Sequence, residues 1–293
     1  MGKIYDDKTL KKLQLVETAM MKDFKQICDE NNLDYFIYYG TLIGVVRHNG
    51  FIPWDDDIDI CMSRKDYEKF AEIARTSKYN EKYELISAEN SDDYLMPEGH
   101  WQFRGTKFID KPSLGYKHTE LGIFLDLFIL DNLADNPKQR KKQMKDCFFW
   151  GKLMIIKSIP KPIVPFSGIL GKITSAVLFL MHYIMNFLHI SPRYLYKKYT
   201  EASTRYNGTK TEYVTNFRGI QIDEAKLTHN DIYPLKEMKF EDMTVNVPNN
   251  YEKLLTNLFG DYMQLPPPEK RHNHCPEILD FGSSLDYFKI KQS

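Results

Sequence analysis

Asp55, Asp56 and Asp57 stand in a row, and Asp59 follows, in the stretch YFIYYGTLIGVVRHNGFIPWDDDIDICM from Tyr35 to Met62. In an extended segment side chains alternate between faces, so Asp57 and Asp59 project one way while Ile58 and Ile60 enter a core. Two carboxylates on one small patch repel each other unless a cation lies between them. Paired hard oxygens are what Mg2+ uses when substrate phosphates complete its shell. A solvated acidic turn would carry the same three aspartates. Upstream, Gly40 and Thr41 follow the apolar YFIYY where a strand should end. The backbone there can approach a phosphate, and the N–H groups of the next helical turn, Leu42 to Val45, can point at it. Metal pair and phosphate cradle therefore belong to one predicted site. A further carboxylate, Asp126, is the only charge between Glu120 and Asp131, within the run GIFLDLFIL. Unpaired in a buried strand it costs on the order of several kcal/mol, so it needs a metal or a proton, unless it ends a strand and bonds to backbone.

The order of strand, Gly-Thr, short helix, Asp-x-Asp strand and later strand carboxylate resembles the nucleotidyltransferase superfamily of the DNA polymerase β type. Four stretches, YYGTLIGVVRHNGFIPWDDDIDICM, QFRGTKFID, GIFLDLFILD and LFGDYMQLPPPEKR, are together similar to the LicD family of phosphotransferases. That family includes bacterial phosphocholine transferases and animal fukutin-type ribitol-phosphate transferases. The resemblance covers residues 10–135 well and 250–282 fairly, and 136–200 match nothing diagnostic.

The resemblance implies an α/β (α+β) fold, a nucleotidyltransferase-like mixed sheet flanked by helices. Residues 1–135 would form the catalytic core, 136–200 a basic apolar helical insertion, and 201–293 the part that completes the core and supplies an active-site flap. It further implies an Mg2+-dependent phosphotransferase (Mn2+ being the alternative metal) that moves phosphocholine from CDP-choline to a sugar hydroxyl of a teichoic acid or other cell-surface polysaccharide precursor. Glycerol-phosphate or ribitol-phosphate from a CDP-polyol would suit the same machinery. In this reading Asp57 and Asp59 hold the metal, Asp126 holds a second metal or takes the acceptor's proton, and Gly40 and Thr41 steady the donor phosphates. Two other classes use part of the pattern. An Asp-x-Asp glycosyltransferase needs neither the Gly-Thr cradle nor the third strand carboxylate, and a non-catalytic membrane adaptor has no use for them together.

A nucleotide diphosphate carries more negative charge than one or two metals neutralise. Arg104 and Lys107, either side of a Gly-Thr turn expected to form a hairpin, are candidate phosphate ligands, as is Arg47. His48 is expected to be a hydrogen-bonded structural residue. Lys270 and Arg271 sit on the Pro-rich stretch MQLPPPEKRHNH, which reads as an extended, rigid flap. A quaternary ammonium is held best by aromatic faces, so Trp54 or Trp101, with Tyr38 or Tyr39, is expected at the pocket. His272, His274 and Cys275 lack a second ligand pair and are not assigned a zinc.

The elements that must position these residues are partly legible. Residues 7–31 carry Leu10, Leu13, Met20, Phe24 and Ile27 at helical spacing; Ser63 and Asp66 suggest a capped helix with Phe70, Ile73 and Ala74 buried; Tyr83 to Ala88 suggests a strand. TEYVTNF and KFEDMTVNVP read as strands, and NNYEKLLTNLFGDY as a short helix closed by Gly260. Lys plus Arg equals Asp plus Glu at 40 each in 293 residues, so nothing global argues for nucleic acid as a partner. From Lys138 to Lys198, however, twelve basic residues face Asp146 alone. Inside this segment ITSAVLFLMHYIMNFLHI is uncharged, with Ser175, His182, Asn186 and His189 forming one polar stripe. That suits a helix lying on a membrane surface, with a buried core helix and a spanning helix as alternatives. Four cysteines without paired spacing and a charged N-terminus suggest a cytoplasmic enzyme, peripherally associated with the inner face of the plasma membrane and acting on a lipid-linked glycan.

Overall fold

The computed structural model describes residues 5–76, 78–110, 114, 121–161, 164, 167–218, 225–271 and 273–290. The helix expected over 7–31 is α1, Asp7–Asn31; Asp6 caps it by accepting from Thr9 N–H, and Asn32 ends it in the left-handed region. Its buried line through Leu13, Met20, Phe24 and Ile27 lies on the sheet. Strand β1, Tyr35–Ile37, leads into α2, Tyr39–His48, and then β2, Asp59–Ser63. Helix α3, Arg64–Thr76, starts where Ser63 was expected to cap it: Asp66 N–H donates to Ser63 Oγ over 3.1 Å. The Ser63 hydroxyl in turn donates to the Asp66 carboxylate over 2.6 Å.

Next come β3, Tyr83–Ile86, β4, Gly99–Phe103, β5, Lys107–Ile109, and the long β6, Phe124–Leu133. The main sheet runs β1-β2-β6-β4-β3. Only β2 and β6 pair in parallel; β1 with β2, β4 with β6 and β3 with β4 are antiparallel. A strand with neighbours on both edges and helices above it reads as a continuous apolar run, which is why the FLDLFIL segment leaves Asp126 conspicuous. The second half of β6 pairs with β7, Tyr213–Thr215, in the TEYVTNF stretch, and β7 pairs with the two-residue β8, Leu227–Thr228.

The Gly105-Thr106 turn does not close a hairpin. β4 stays in the main sheet, while β5 leaves it and pairs with the distant β11, Ile278–Asp280. Gly105 has φ +75°, and that left-handed residue lets the chain change sheets. The KFEDMTVNVP stretch forms the hairpin β9, Lys236–Phe240, and β10, Met243–Val247. The last long helix, α7, is Tyr251–Phe259, and Gly260 at φ +67° ends it as expected. The following stretch makes a turn at Asp261–Gln264 and one 3-10 turn, Pro268–Lys270, which the prolines permit because a proline at a first helical position gives up no used N–H.

The basic segment is helical: α4, Pro137–Ser158, α5, Gly168–Phe187, and α6, Pro192–Ser203. Cys147 and Met154 of α4 pack with Leu195, Tyr199 and Ala202 of α6 into a second apolar cluster, joined to the sheet through Leu133 and Phe217. Arg64 grips Asp131 bidentately, at 2.9 and 2.5 Å, at the inner edge of this layer.

Candidate active site

Register builds the site. Asp59 on β2 pairs with Asp126 on β6, and Asp126 pairs with His100 on β4. Directly paired residues project to one face, so Asp59, Asp126 and His100 form a row across three strands. Asp57, two residues before Asp59, joins them. The carboxylates of Asp57, Asp59 and Asp126 offer ligand atoms all within 4.8 Å of one another, the single such metal-ligand group among the described residues. Asp59 and Asp126 are buried.

Thr41 fixes this approach. Its hydroxyl accepts from Asp59 N–H over 2.8 Å and lies 3.5 Å from Asp57 O. Gly40 faces the cluster: a Cβ there would lie 3.4 Å from Asp55 Oδ2 and 4.0 Å from Asp59 Oδ2. Because α2 already begins at Tyr39, Leu42 N–H is spent on Tyr38 O. The cradle expected from Leu42 to Val45 therefore shifts one turn earlier, to the first-turn backbone around Gly40 and Thr41.

Burial pushes Asp57 up to about 6, with Asp126 and Asp56 adding to it and His274 opposing. Burial likewise raises Asp59, Asp55 and, behind them, the fully buried Glu17, each further raised by its neighbouring carboxylates. Against its own burial, Asp126 is held below the usual carboxylate range by His100, whose Nε2 lies 2.7 Å from Asp126 Oδ1. The patch is thus short of positive charge, and Asp55 Oδ2 is buried without a partner. An all-carboxylate donor set of this kind fits a hard divalent cation such as Mg2+ or Mn2+.

Three basic groups border the cluster. His100 backs Asp126. Arg218 pairs with the buried Glu98 at 3.1 Å, lies over the Phe128 ring at 5.1 Å, and lowers Asp57, Asp59 and Asp126 by its charge. His274 sets Nδ1 3.2 Å from Asp56 and 3.3 Å from Asp57, and its hydrogen bond to Asp56 raises it to about 10.

Residues 32–131, which span the cluster, match the family model described as LicD/FKTN/FKRP, nucleotidyltransferase domain. Over these residues the chain is similar to LicD-type nucleotidyltransferase domains. The lipopolysaccharide cholinephosphotransferase LicD of Haemophilus influenzae is 28% identical over 276 residues, 91% of this chain and 96% of that one. An uncharacterised protein of Rickettsia typhi is 42% identical over 109 residues, 35% of each chain.

Not every candidate reaches the acidic cluster. Trp101 is wholly buried and stacks on Tyr83 at 3.9 Å, beside Phe24 and Phe70. Strand alternation decides this: His100 faces the cluster, so Trp101 faces the core. Arg104 is committed to Asn80, Tyr83 and Glu84, roughly 13 Å along β4 from His100 at about 3.3 Å per residue. Lys107 leaves with β5, opposite Asp280. Arg47 bonds to His48, which is structural as expected, and to Tyr262 O at 2.7 Å, so it clips the start of the flap.

Trp54 does lie beside the aspartates, but its face carries Arg271 at 4.5 Å. Lys270 is exposed on the flap. Tyr39, with φ +39°, bonds to Asn216, and Tyr38 is buried behind it. His274 clasps Asp56 instead of joining a zinc set, and His272 lies outside the described residues. Sequence reasoning missed His100, Glu98 and Arg218. His100 becomes visible only through β4 register, and nothing in the spacing around Arg218 marks it.

Proposed function

We propose that this chain is a divalent-metal-dependent phosphotransferase that moves phosphocholine from CDP-choline to a sugar hydroxyl of a cell-surface polysaccharide precursor. One observation carries the reading: Asp57, Asp59 and Asp126 converge beside Gly40 within the matched domain. A cation held there supplies charge neutralisation to the donor diphosphate. The remaining work is positional. Gly40 leaves the backbone open to a phosphate, His100 keeps Asp126 ionised, and Arg218 adds a charge fixed by Glu98. The sugar oxygen attacks phosphorus in line, its proton passes to a carboxylate, the phosphodiester forms, and CMP departs with the electrons of the broken P–O bond.

The choice of choline rests on the likeness to the Haemophilus protein. The aromatic cage expected for it is weakened, since Trp101 is core and Trp54 already holds Arg271. That observation favours keeping glycerol-phosphate and ribitol-phosphate as a second reading. A lipid-linked acceptor, such as a teichoic acid precursor, would place the enzyme peripherally on the inner face of the plasma membrane.

The test incubates purified protein and Mg2+ with CDP-choline, CDP-glycerol or CDP-ribitol and a glycan acceptor, and follows CMP release. Turnover of CDP-choline, lowered about 10²–10³-fold by Asp59→Asn as expected when a group stabilising transition-state charge is lost, is the expected result. Turnover of a polyol donor alone overturns the choline assignment, and wild-type turnover retained by Asp59→Asn overturns the site.

A further inference from the structure

Helix α5 is docked through His182 and Asn186. His182 Nδ1 lies 2.8 Å from Ile156 O on α4, Asn186 Nδ2 lies 2.9 Å from His182 Nε2, and Lys157 donates to Asn186. The opposite face is left to Ile169, Ile173, Val177, Leu180, Ile184 and Phe187, three or four residues apart and each 46 to 81% exposed. Only 11% of the helix's most apolar window is buried, and by length and composition it is long and apolar enough to cross a membrane. Soluble monomers rarely present so continuous an apolar strip. Of the expected polar stripe, His182 and Asn186 anchor the helix to the protein instead of facing headgroups, while His189 lies beyond the helix end and is exposed.

Behind α5 lies an apolar cavity of about 560 Å3, between α4, α5 and α6, lined by Trp150, Leu153, Met181, Met185, Ile190 and Tyr194 among others. Its size falls in the ~300–1,000 Å3 range of small-ligand sites. Basic side chains rim the same face: Lys152 lies over Phe148 at 5.4 Å, Lys161 over Phe179 at 5.6 Å and Lys198 over Tyr194 at 5.9 Å. Among the described residues no carboxylate pairs with Lys152, Lys161 or Lys172.

We propose that this face docks on an anionic phospholipid bilayer, with α5 lying in the interface and one acyl chain entering the cavity behind it. Apolar burial and attraction between lysines and lipid phosphates act together there. Spanning is disfavoured, because α5 would lose its bonds to Ile156 and Lys157 and carry His182 and Asn186 into hydrocarbon. A second copy of the chain on the same face would bring the lysine rims together. The proposal deepens, and rests on, the reading of a lipid-linked acceptor.

Flotation with vesicles containing phosphatidylglycerol, against phosphatidylcholine alone, tests it. The chain is expected to float with the anionic vesicles at least ten-fold better, and to lose this in the triple variant Ile173→Ser, Leu180→Ser, Phe187→Ser. All three side chains are exposed, so the melting midpoint should not fall. Vesicles with brominated acyl chains should quench part of the tryptophan fluorescence, and that part should vanish in Trp150→Phe. No vesicle binding by the wild type overturns the proposal. Binding that survives the triple variant overturns the assigned face, and quenching unchanged by Trp150→Phe overturns the cavity. Self-association lost in the triple variant, without vesicle binding, makes the occupant a second copy and likewise overturns it. CMP release with a water-soluble acceptor is read on the same preparations. Failure of the transferase reading then appears as binding without turnover, and failure of this one as turnover without binding.

Discussion

Asp57 and its neighbours carry a cost that a cation removes. Burial and mutual repulsion raise Asp57 to about 6 and also raise Asp59, Asp55 and Glu17. An acid whose folded pKa lies above its unfolded value favours the folded state most when protonated. Without metal, the stability that Asp57 contributes is therefore present below pH ~4 and falls as pH rises from there through 6. A cation binding only the folded, ionised cluster reverses the loss. Chelator-treated protein should melt at a higher temperature on adding Mg2+ or Mn2+, with a larger gain at pH 8 than at pH 5. Asp59→Asn should melt higher than the metal-free wild type at pH 8 and show no such gain. Equal gains at both pH values, measured by differential scanning fluorimetry, would count against the cluster as the cation site. The triad itself was legible because period-2 spacing and a lone charge in an apolar run are local signals. His100 and Arg218 were not, because strand register and a long return connection bring them in.

At the scale of elements, local capping explains what could be read and long-range pairing what could not. Ser63, Gly260 and the 7–31 periodicity each act within a few residues, and each predicted its helix. Arg104 and Lys107 looked like one hairpin because neither residue signals that β5 pairs with β11, more than 160 residues away in the chain. The Thr228 capping box joins both kinds of control. Asp231 accepts from Thr228 N–H and Oγ–H at 3.0 and 2.8 Å, closing the short turn His229–Ile232. It also takes Lys253 of α7 at 2.8 Å. Against its burial, these bonds, Lys253 first, bring Asp231 down to about 2. A depressed carboxylate contributes stability above its unfolded pKa near 4 and loses it as pH falls through 2. Converted at ~1.4 kcal/mol per unit this is about 2.8 kcal/mol, which solvent screening at the half-exposed Lys253 lowers to about 2 kcal/mol. Asp231→Ala should therefore cost about that much at pH 7 in denaturant titration, with the gap to wild type closing toward pH 2; a gap constant with pH would mean that the carboxylate's charge is not the cause.

The whole molecule is closed around Asp56, the aspartate that stands outside the cluster of Asp57, Asp59 and Asp126. Its buried carboxylate accepts from Tyr5 OH at 2.9 Å, near one end of the chain, and from His274 N–H at 2.8 and 3.1 Å, near the other. Arg47 adds a second fastening, to Tyr262 O, and Arg271 a third, on Trp54. The Pro-rich flap is thus tied beside the acidic site at its start, middle and end. This separates two outcomes that a less modular fold would merge. Asp56→Ala leaves a half-buried hydroxyl and backbone N–H without their acceptor, each worth about 1 kcal/mol, but it touches no residue of the second apolar cluster. Limited proteolysis of Asp56→Ala should cut between residues 260 and 276 at least several-fold faster than in wild type, leaving the rest of the chain resistant. Far-UV circular dichroism should be unchanged. Uniform degradation along the chain would show that Asp56 holds the fold and not the flap.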